Sequence, residues 1–186
     1  KKLLSGTSTE VTSAVSLTSS AELDSNYNAF LDEMDGFLSV MDGTPSMLMM
    51  NTAMLIKARS IARRAGYYDR TKDDFDRVVE TYAGVPMVDL GKYYNGTNSV
   101  DVVSTSAATA SAAGTTEIYA VSLGLDGFHG ISPTGTGVIN SYMPDLNAPG
   151  AVKKGEVELV AGVALKNTLK AAVLKGIAIT PKTGSQ

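Results

Sequence analysis

Apolar residues recur along this chain in two rhythms, one helical and one alternating. In Thr44 to Gly66, TPSMLMMNTAMLIKARSIARRAG, an apolar run from Met47 to Met50 is set off by Pro45. It predicts a buried strand. Leu55, Ala58, Ile61, Ala62 and Ala65 follow at helical intervals and predict a helix. Asn51 stands where a side chain can accept from the helix's first free amides, so it is the expected N-cap. Gly66 stands where a helix C-terminus takes a left-handed residue. Arg59, Arg63 and Arg64 fall in the second half, where cations complement the helix dipole. A second helical spacing runs from Leu23 through Tyr27, Phe30, Leu31, Met34 and Leu38 to Met41, with Ser25 as the expected N-cap. Asp32, Glu33 and Asp35 take its other face, and Gly36 is a weak point within it. Asp42-Gly43-Thr44-Pro45 reads as a turn.

The rest of the chain reads as short strands and turns. Residues 1–20 are rich in Ser and Thr. Val11, Val15 and Leu17 suit a short edge strand there, and an extended or mobile arm is expected. Tyr67 to Asp76 reads as a loop or hairpin, and Arg77 to Tyr82 as a weakly alternating strand. Met87 to Leu90 is a short strand, with Pro86 suited to its start or to an edge. Lys92 to Ser99 is a surface loop with an Asn-Gly turn. Ser104 to Thr116 is small and low in complexity, and a flexible connector is expected. Glu117 to Leu123 alternates most clearly. A glycine-punctuated turn, Gly124 to Gly130, and a turn-rich stretch, Ser132 to Pro149, come next. Glu156 to Leu165 is expected to pack as a strand or helix, and Ile177 to Ile179 forms a last strand ended by Pro181. This irregular order predicts an α+β fold. Long turn-rich loops in a compact domain call for a function or a partner.

Composition narrows the classes. Apolar residues make up 44% of 186, which suffices for a packed core. The net charge of −3 does not make a nucleic-acid footprint. With no cysteine, disulfides and thiolate metal sites are excluded. No apolar run reaches membrane-spanning length. His129 is the one histidine, and a hydrolase reading would join it to a serine and an aspartate. The residue types alone do not make that triad, and a structural or surface histidine is the plainer reading. Asp69, Asp73, Asp74 and Asp76 interleave with Arg70, Lys72 and Arg77 and lack calcium-loop spacing, so a solvated mixed-charge loop is expected. Gly135-Thr136-Gly137 has no P-loop lysine after it. Asn95-Gly96-Thr97 is a formal glycosylation acceptor. Met47, Met49, Met50 and Met54 suit core filling more than an adaptable binding surface. Arg59, Arg63 and Arg64 leave an anion- or nucleic-acid-binding module open as a second alternative, beside a solvated helix face or charge pairing at a subunit contact. No catalytic, cofactor or metal site is assigned.

The order of four segments resembles the Hong Kong 97-like major capsid proteins of tailed bacteriophages, a fold shared with encapsulin shells. The segments are YNAFLDEMDGFL with GTPSMLMMNTAMLIKARSIARRAGYY, then FDRVVETYAGVPMVDLG, EIYAVSLGLDGFHGI and VALKNTLKAAVLKGIAI, together spanning Tyr27 to Ile179. The resemblance implies a mixed sheet flanked by helices. Residues 1–22 would be an arm or peripheral-domain remnant, 23–150 the axial domain, and 151–186 a peripheral return strand with the C-terminus. It implies a non-enzymatic subunit that assembles with copies of itself, as hexamers and pentamers, into an icosahedral head. Scaffold, portal or decoration proteins are possible further partners, DNA is touched only indirectly, and no membrane or cofactor is involved. The location implied is the virion, after host cytoplasm. It also implies that the family's N-terminal arm, extended loop and spine helix precede Lys1, making this chain the C-terminal portion of a subunit.

Overall fold

The computed structural model describes residues 6–66, 70–72, 78–133, 135, 137–144, 146–147 and 149–184. The first elements are β1 (Glu10–Thr12), α1 (Ser20–Ser39), β2 (Met47–Met50) and α2 (Thr52–Arg64). Then come β3 (Arg70–Lys72), β4 (Val78–Tyr82), β5 (Val85–Asp89), the hairpin pair β6 (Lys92–Tyr94) and β7 (Ser99–Asp101), and β8 (Gly114–Val121). The last strands are β9 (Phe128–Ile131), β10 (Ile139–Tyr142), β11 (Glu156–Leu159), β12 (Gly162–Leu165) and β13 (Ala171–Thr180). Seven strands form one mixed sheet in the order β1-β13-β8-β2-β5-β4-β3. Strand β1 runs parallel to β13 and β2 parallel to β5; the other neighbours are antiparallel.

Both helices lie on one face of this sheet. Leu48 and Met50 of β2, Ile118 and Ala120 of β8, and Ala172 and Leu174 of β13 turn to that face and bury against Phe30, Met34 and Phe37 of α1 and Met54, Leu55 and Ile61 of α2. The alternate residues Met47, Met49, Tyr119, Val121 and Val173 form a second cluster on the other face. The apolar run of β2 is continuous because both of its faces are covered, at least in part. Met50 and Met54 fill the core, as expected from their spacing.

Asn51 caps α2: its Oδ1 accepts from the Met54 amide at 2.8 Å. Its Nδ2 also lies 3.1 Å from the Val103 carbonyl and 2.9 Å from the Thr105 and Thr116 hydroxyls. This one buried side chain thus starts a helix and pins the segment before β8. That segment was expected as a flexible connector. Instead, within Ser104 to Thr116, Gly114 to Thr116 belong to β8, and the Ser106 amide donates to the Thr115 carbonyl at 2.8 Å. Gly66, with φ +69°, ends α2 as predicted.

The start of α1 differs from the prediction. The N-cap is Ser19, whose hydroxyl accepts from the Glu22 amide at 3.2 Å, while the Ser25 hydroxyl donates to the Ala21 carbonyl inside the helix. Residues 9–17 are docked along β13. Leu17 is fully buried, and the Ser13 and Leu17 amides donate to β13 carbonyls at 2.8 Å each. The β4–β5 turn places Ala83 and Gly84 at φ +49° and +77°, the pattern of a type I′ hairpin. Pairing of β5 with β2 begins at Met87, one residue after Pro86, which therefore owes β2 no amide. The predicted Lys92–Ser99 loop is the β6–β7 hairpin, with Asn95 Oδ1 accepting from the Thr97 and Asn98 amides.

Replacing Asn51 with Ala is expected to cost about 2–4 kcal/mol in urea unfolding, a lost cap plus buried groups left unmade. Ser25→Ala should stay within about 0.5 kcal/mol; equal losses would place the helix starts elsewhere. Glu22 sets an acid dependence. Hydrogen bonds to its charged form, the Thr18 hydroxyl first and the Ser16 hydroxyl next, hold its carboxyl below the ordinary 4.5. A lowered folded-state value means stability that is complete above pH 4.5 and fades as pH falls through the folded value. Glu22→Gln should therefore unfold with a flatter acid limb than the parent, measured by thermal melts from neutral pH downward.

Candidate functional site

The β8–β13 pair does not stop at the rim of the sheet. Its last rung is Val121 with Ala171, after which the Ser122 amide donates to the Lys170 carbonyl at 2.8 Å. The Phe128 amide donates to the Ser122 carbonyl at 3.0 Å, and the Lys166 amide to the Gly127 carbonyl at 3.2 Å. Beyond this root β9 pairs with β12, from Phe128–Leu165 to Ile131–Gly162. Further out β10 pairs with β11, from Ile139–Leu159 to Tyr142–Glu156. Gly114 to Thr180 is thus one long hairpin, with its base in the core and its outer half a two-stranded ribbon. The expected boundary between residues 150 and 151 falls in the tip of this ribbon.

The root is closely fitted. A Cβ at Gly127 would stand 2.4 Å from the Ser122 carbonyl oxygen and 3.3 Å from Lys170 Cβ. Lys170 Nζ donates to the Asp42 carbonyl at 2.9 Å and pairs with its carboxylate at 3.0 Å, tying the root to the loop after α1.

The ribbon is left open by the described residues. Among the described residues, twelve of the seventeen exposed large hydrophobic side chains lie between Leu123 and Val163. The outer strands alternate. Ile139, Leu159 and Val157 share one face with Ser141, while Asn140, Glu158, Tyr142 and Glu156 share the other. Ile139, Val157 and Leu159 are 66%, 76% and 67% exposed. Glu156 to Leu165 was expected to pack; β11 is instead exposed at every position and β12 at its first two. The sequence left strand and helix open here, and the alternation Glu156-Val157-Glu158-Leu159 takes the strand form. What was not legible was that, among the described residues, none covers its apolar side.

The other candidates are placed as follows. His129 sits in β9 opposite Ala164, and its Nδ1–H donates to the Gly127 carbonyl at 3.3 Å. Among the described residues no hydroxyl or carboxylate hydrogen-bonds its ring, so the serine and aspartate of a hydrolase are not brought to it. The three arginines do not converge. Arg59 Nε pairs with Glu80 of β4 at 2.7 Å, Arg64 pairs with Asp24 of α1 and donates to the Ser20 hydroxyl, and Arg63 is exposed. Two of them pair α2 with its neighbours. Lys57 donates to the Thr18 carbonyl at 3.4 Å; burial pushes its ammonium pKa down, against Glu22, which favours the charge. On the sheet's other face burial, then Glu117, pushes the Tyr119 phenol up.

Asp69, Asp73, Asp74, Asp76 and Thr136 lie outside the described residues. Among those described, no group of three or more acidic or histidine side chains could hold a metal ion, and no helix is long and apolar enough to cross a membrane. A void of about 30 Å³ lies between α1, α2 and the sheet, lined by Met34, Ala58, Ile61, Thr81 and Met87 among others. That is room for a water or two rather than a substrate.

Gly127→Ala tests the root. Hydrogen exchange of the amides in β9 and β12 should rise toward unprotected rates, while β8 and β13 keep their protection; an unchanged ribbon would show that the root tolerates the added carbon.

No protein-family model matches this chain, and no curated protein matches it. A solved structure does: the holo-SrpI encapsulin complex from Synechococcus elongatus PCC 7942, with a TM-score of 0.62 and 16% identity. The match covers 96% of this chain and 56% of that one, so the chain spans little more than half the encapsulin's length. The two share a capsid-like α+β fold, as the order of the sequence segments implies.

Proposed function

We propose that this chain is a structural, non-enzymatic subunit of a protein shell, assembling with copies of itself. The observation that carries this reading is the uncovered apolar ribbon on a fold shared with an encapsulin. A two-stranded ribbon is marginal alone in water, and a bare apolar face of this extent marks a protein-protein contact. A shell subunit needs surfaces that complement its neighbours rather than a reaction cleft.

In its finer form the proposal is a tailed-bacteriophage or prophage major capsid protein, forming hexamers and pentamers of an icosahedral head around a genome. Residues 23–150 would be its axial domain and 151–186 its peripheral return and C-terminus. Scaffold, portal or decoration proteins would meet the assembled head, which would reside in the virion. The sequence order supports this form.

Sedimentation and electron microscopy of the protein expressed from its complete reading frame provide the test. Five- or six-copy oligomers or closed particles are expected. A monomer under every assembly condition, from dilute buffer to high concentration and salt, would overturn the proposal.

A further inference from the structure

We infer that the outer ribbon pairs with the same ribbon of a second copy, apolar face to apolar face. The inference rests on the self-assembly proposed above and names its contact. The first argument is supply. Outside residues 123–163 the exposed large hydrophobics among the described residues are Ile56, Tyr93, Tyr94, Val102 and Leu169. They come from α2, the β6–β7 hairpin, the segment after it and the 3-10 turn, and build no comparable strip. Among the described residues, a copy of this chain therefore offers one surface of matching character, its own ribbon.

The second argument is charge. Glu156 and Glu158 lie on the opposite face and are exposed. Packing back to back would set four carboxylates against one another, which like-charge repulsion opposes. Packing by the face of Ile139, Val157 and Leu159 leaves all four in water. The third is symmetry. A two-fold axis between ribbons sets the Ile139–Leu159 pair of one copy over the Ser141–Val157 pair of the next, and makes both contacts at once. Ser141, the small member of the strip, leaves room for the larger side chain facing it.

The chain's lack of cysteine makes the test direct. Val157→Cys and Glu158→Cys are placed singly in the full chain and treated with a short bismaleimide. Val157→Cys should give a covalent dimer, and Glu158→Cys should give several-fold less, because its thiol points away from the axis. Adding Leu159→Glu to Val157→Cys should remove the dimer, with an unchanged thermal melt as the folding control. Equal linking from both faces, or none from either while the protein still sediments as an oligomer, overturns the ribbon pairing and leaves the shell reading standing. A monomer in every condition overturns the shell reading and the pairing with it. Monomers that float with lipid vesicles would assign the apolar face to a membrane and overturn the pairing.

Discussion

The structure depends on one antiparallel pairing, that of β8 with β13. Strand β13 is the last regular element of the chain, yet it lies between β1 and β8 inside the sheet. It gives the N-terminal stretch its hydrogen bonds, supplies Ala172, Leu174, Ile177 and Ile179 to the core, and forms half of the hairpin that becomes the ribbon. A register shift between Leu174 and Ile177, with Gly176 at φ +80°, keeps both halves of the strand facing the helices. Because these rungs join residues far apart in sequence, their loop-closure entropy is met late, and the ribbon is the loop being closed. The core and the exposed surface are thus two ends of the same pair of strands. A change that loosens Val121 from Ala171 loosens both.

What the sequence revealed follows from how local each signal is. The strand-helix unit was legible from Met47 to Gly66 because its cap, its period and its terminal glycine lie within a few turns of one another. The start of α1 was equally local but misassigned: Ser19 with Glu22 has the capping-box spacing, and Ser25 was taken in its place. Phe37 escaped the helical set although it is fully buried, and it lies three residues beyond Met34 on the same face. Strand β13 was read as only Ile177 to Ile179. Its first residues, Ala171 to Leu174, owe their place to β8 across the hairpin and to β1, which no nearby residue announces.

Charge was legible in sign but not in use. The basic half of α2 satisfied the helix dipole, and from sequence it served equally for an anion site or a subunit contact. In the fold, Glu80 and Asp24 arrive from β4 and α1 to take Arg59 and Arg64. Arg59 is 43% exposed and its partner Glu80 only 10%, so that pair is screened on one side and held on the other. Pairs of this kind contribute modestly to stability but fix how a helix sits on its neighbours. An arginine cluster on a helix is therefore weak ground for a binding site until the acidic residues brought by other elements are placed.

The ribbon's energetics bear on what kind of contact it can make. Fully burying a Val, Leu or Ile side chain is worth about 1.5–3 kcal/mol, so six such side chains from two ribbons give roughly 10 kcal/mol gross. Association costs about 4–15 kcal/mol in lost freedom, which leaves an isolated ribbon pair near balance. Such a contact is weak between two free chains and strong when other contacts already hold the chains together, because the second event is then intramolecular. That is the behaviour a closed assembly requires. A joint strong enough alone would trap stray dimers, whereas one near balance forms and breaks until the whole set of neighbours is in place. Such an apolar face is tolerable on a free chain for the same reason, since it is backed by glutamates and borne on a ribbon whose root is fixed to the core.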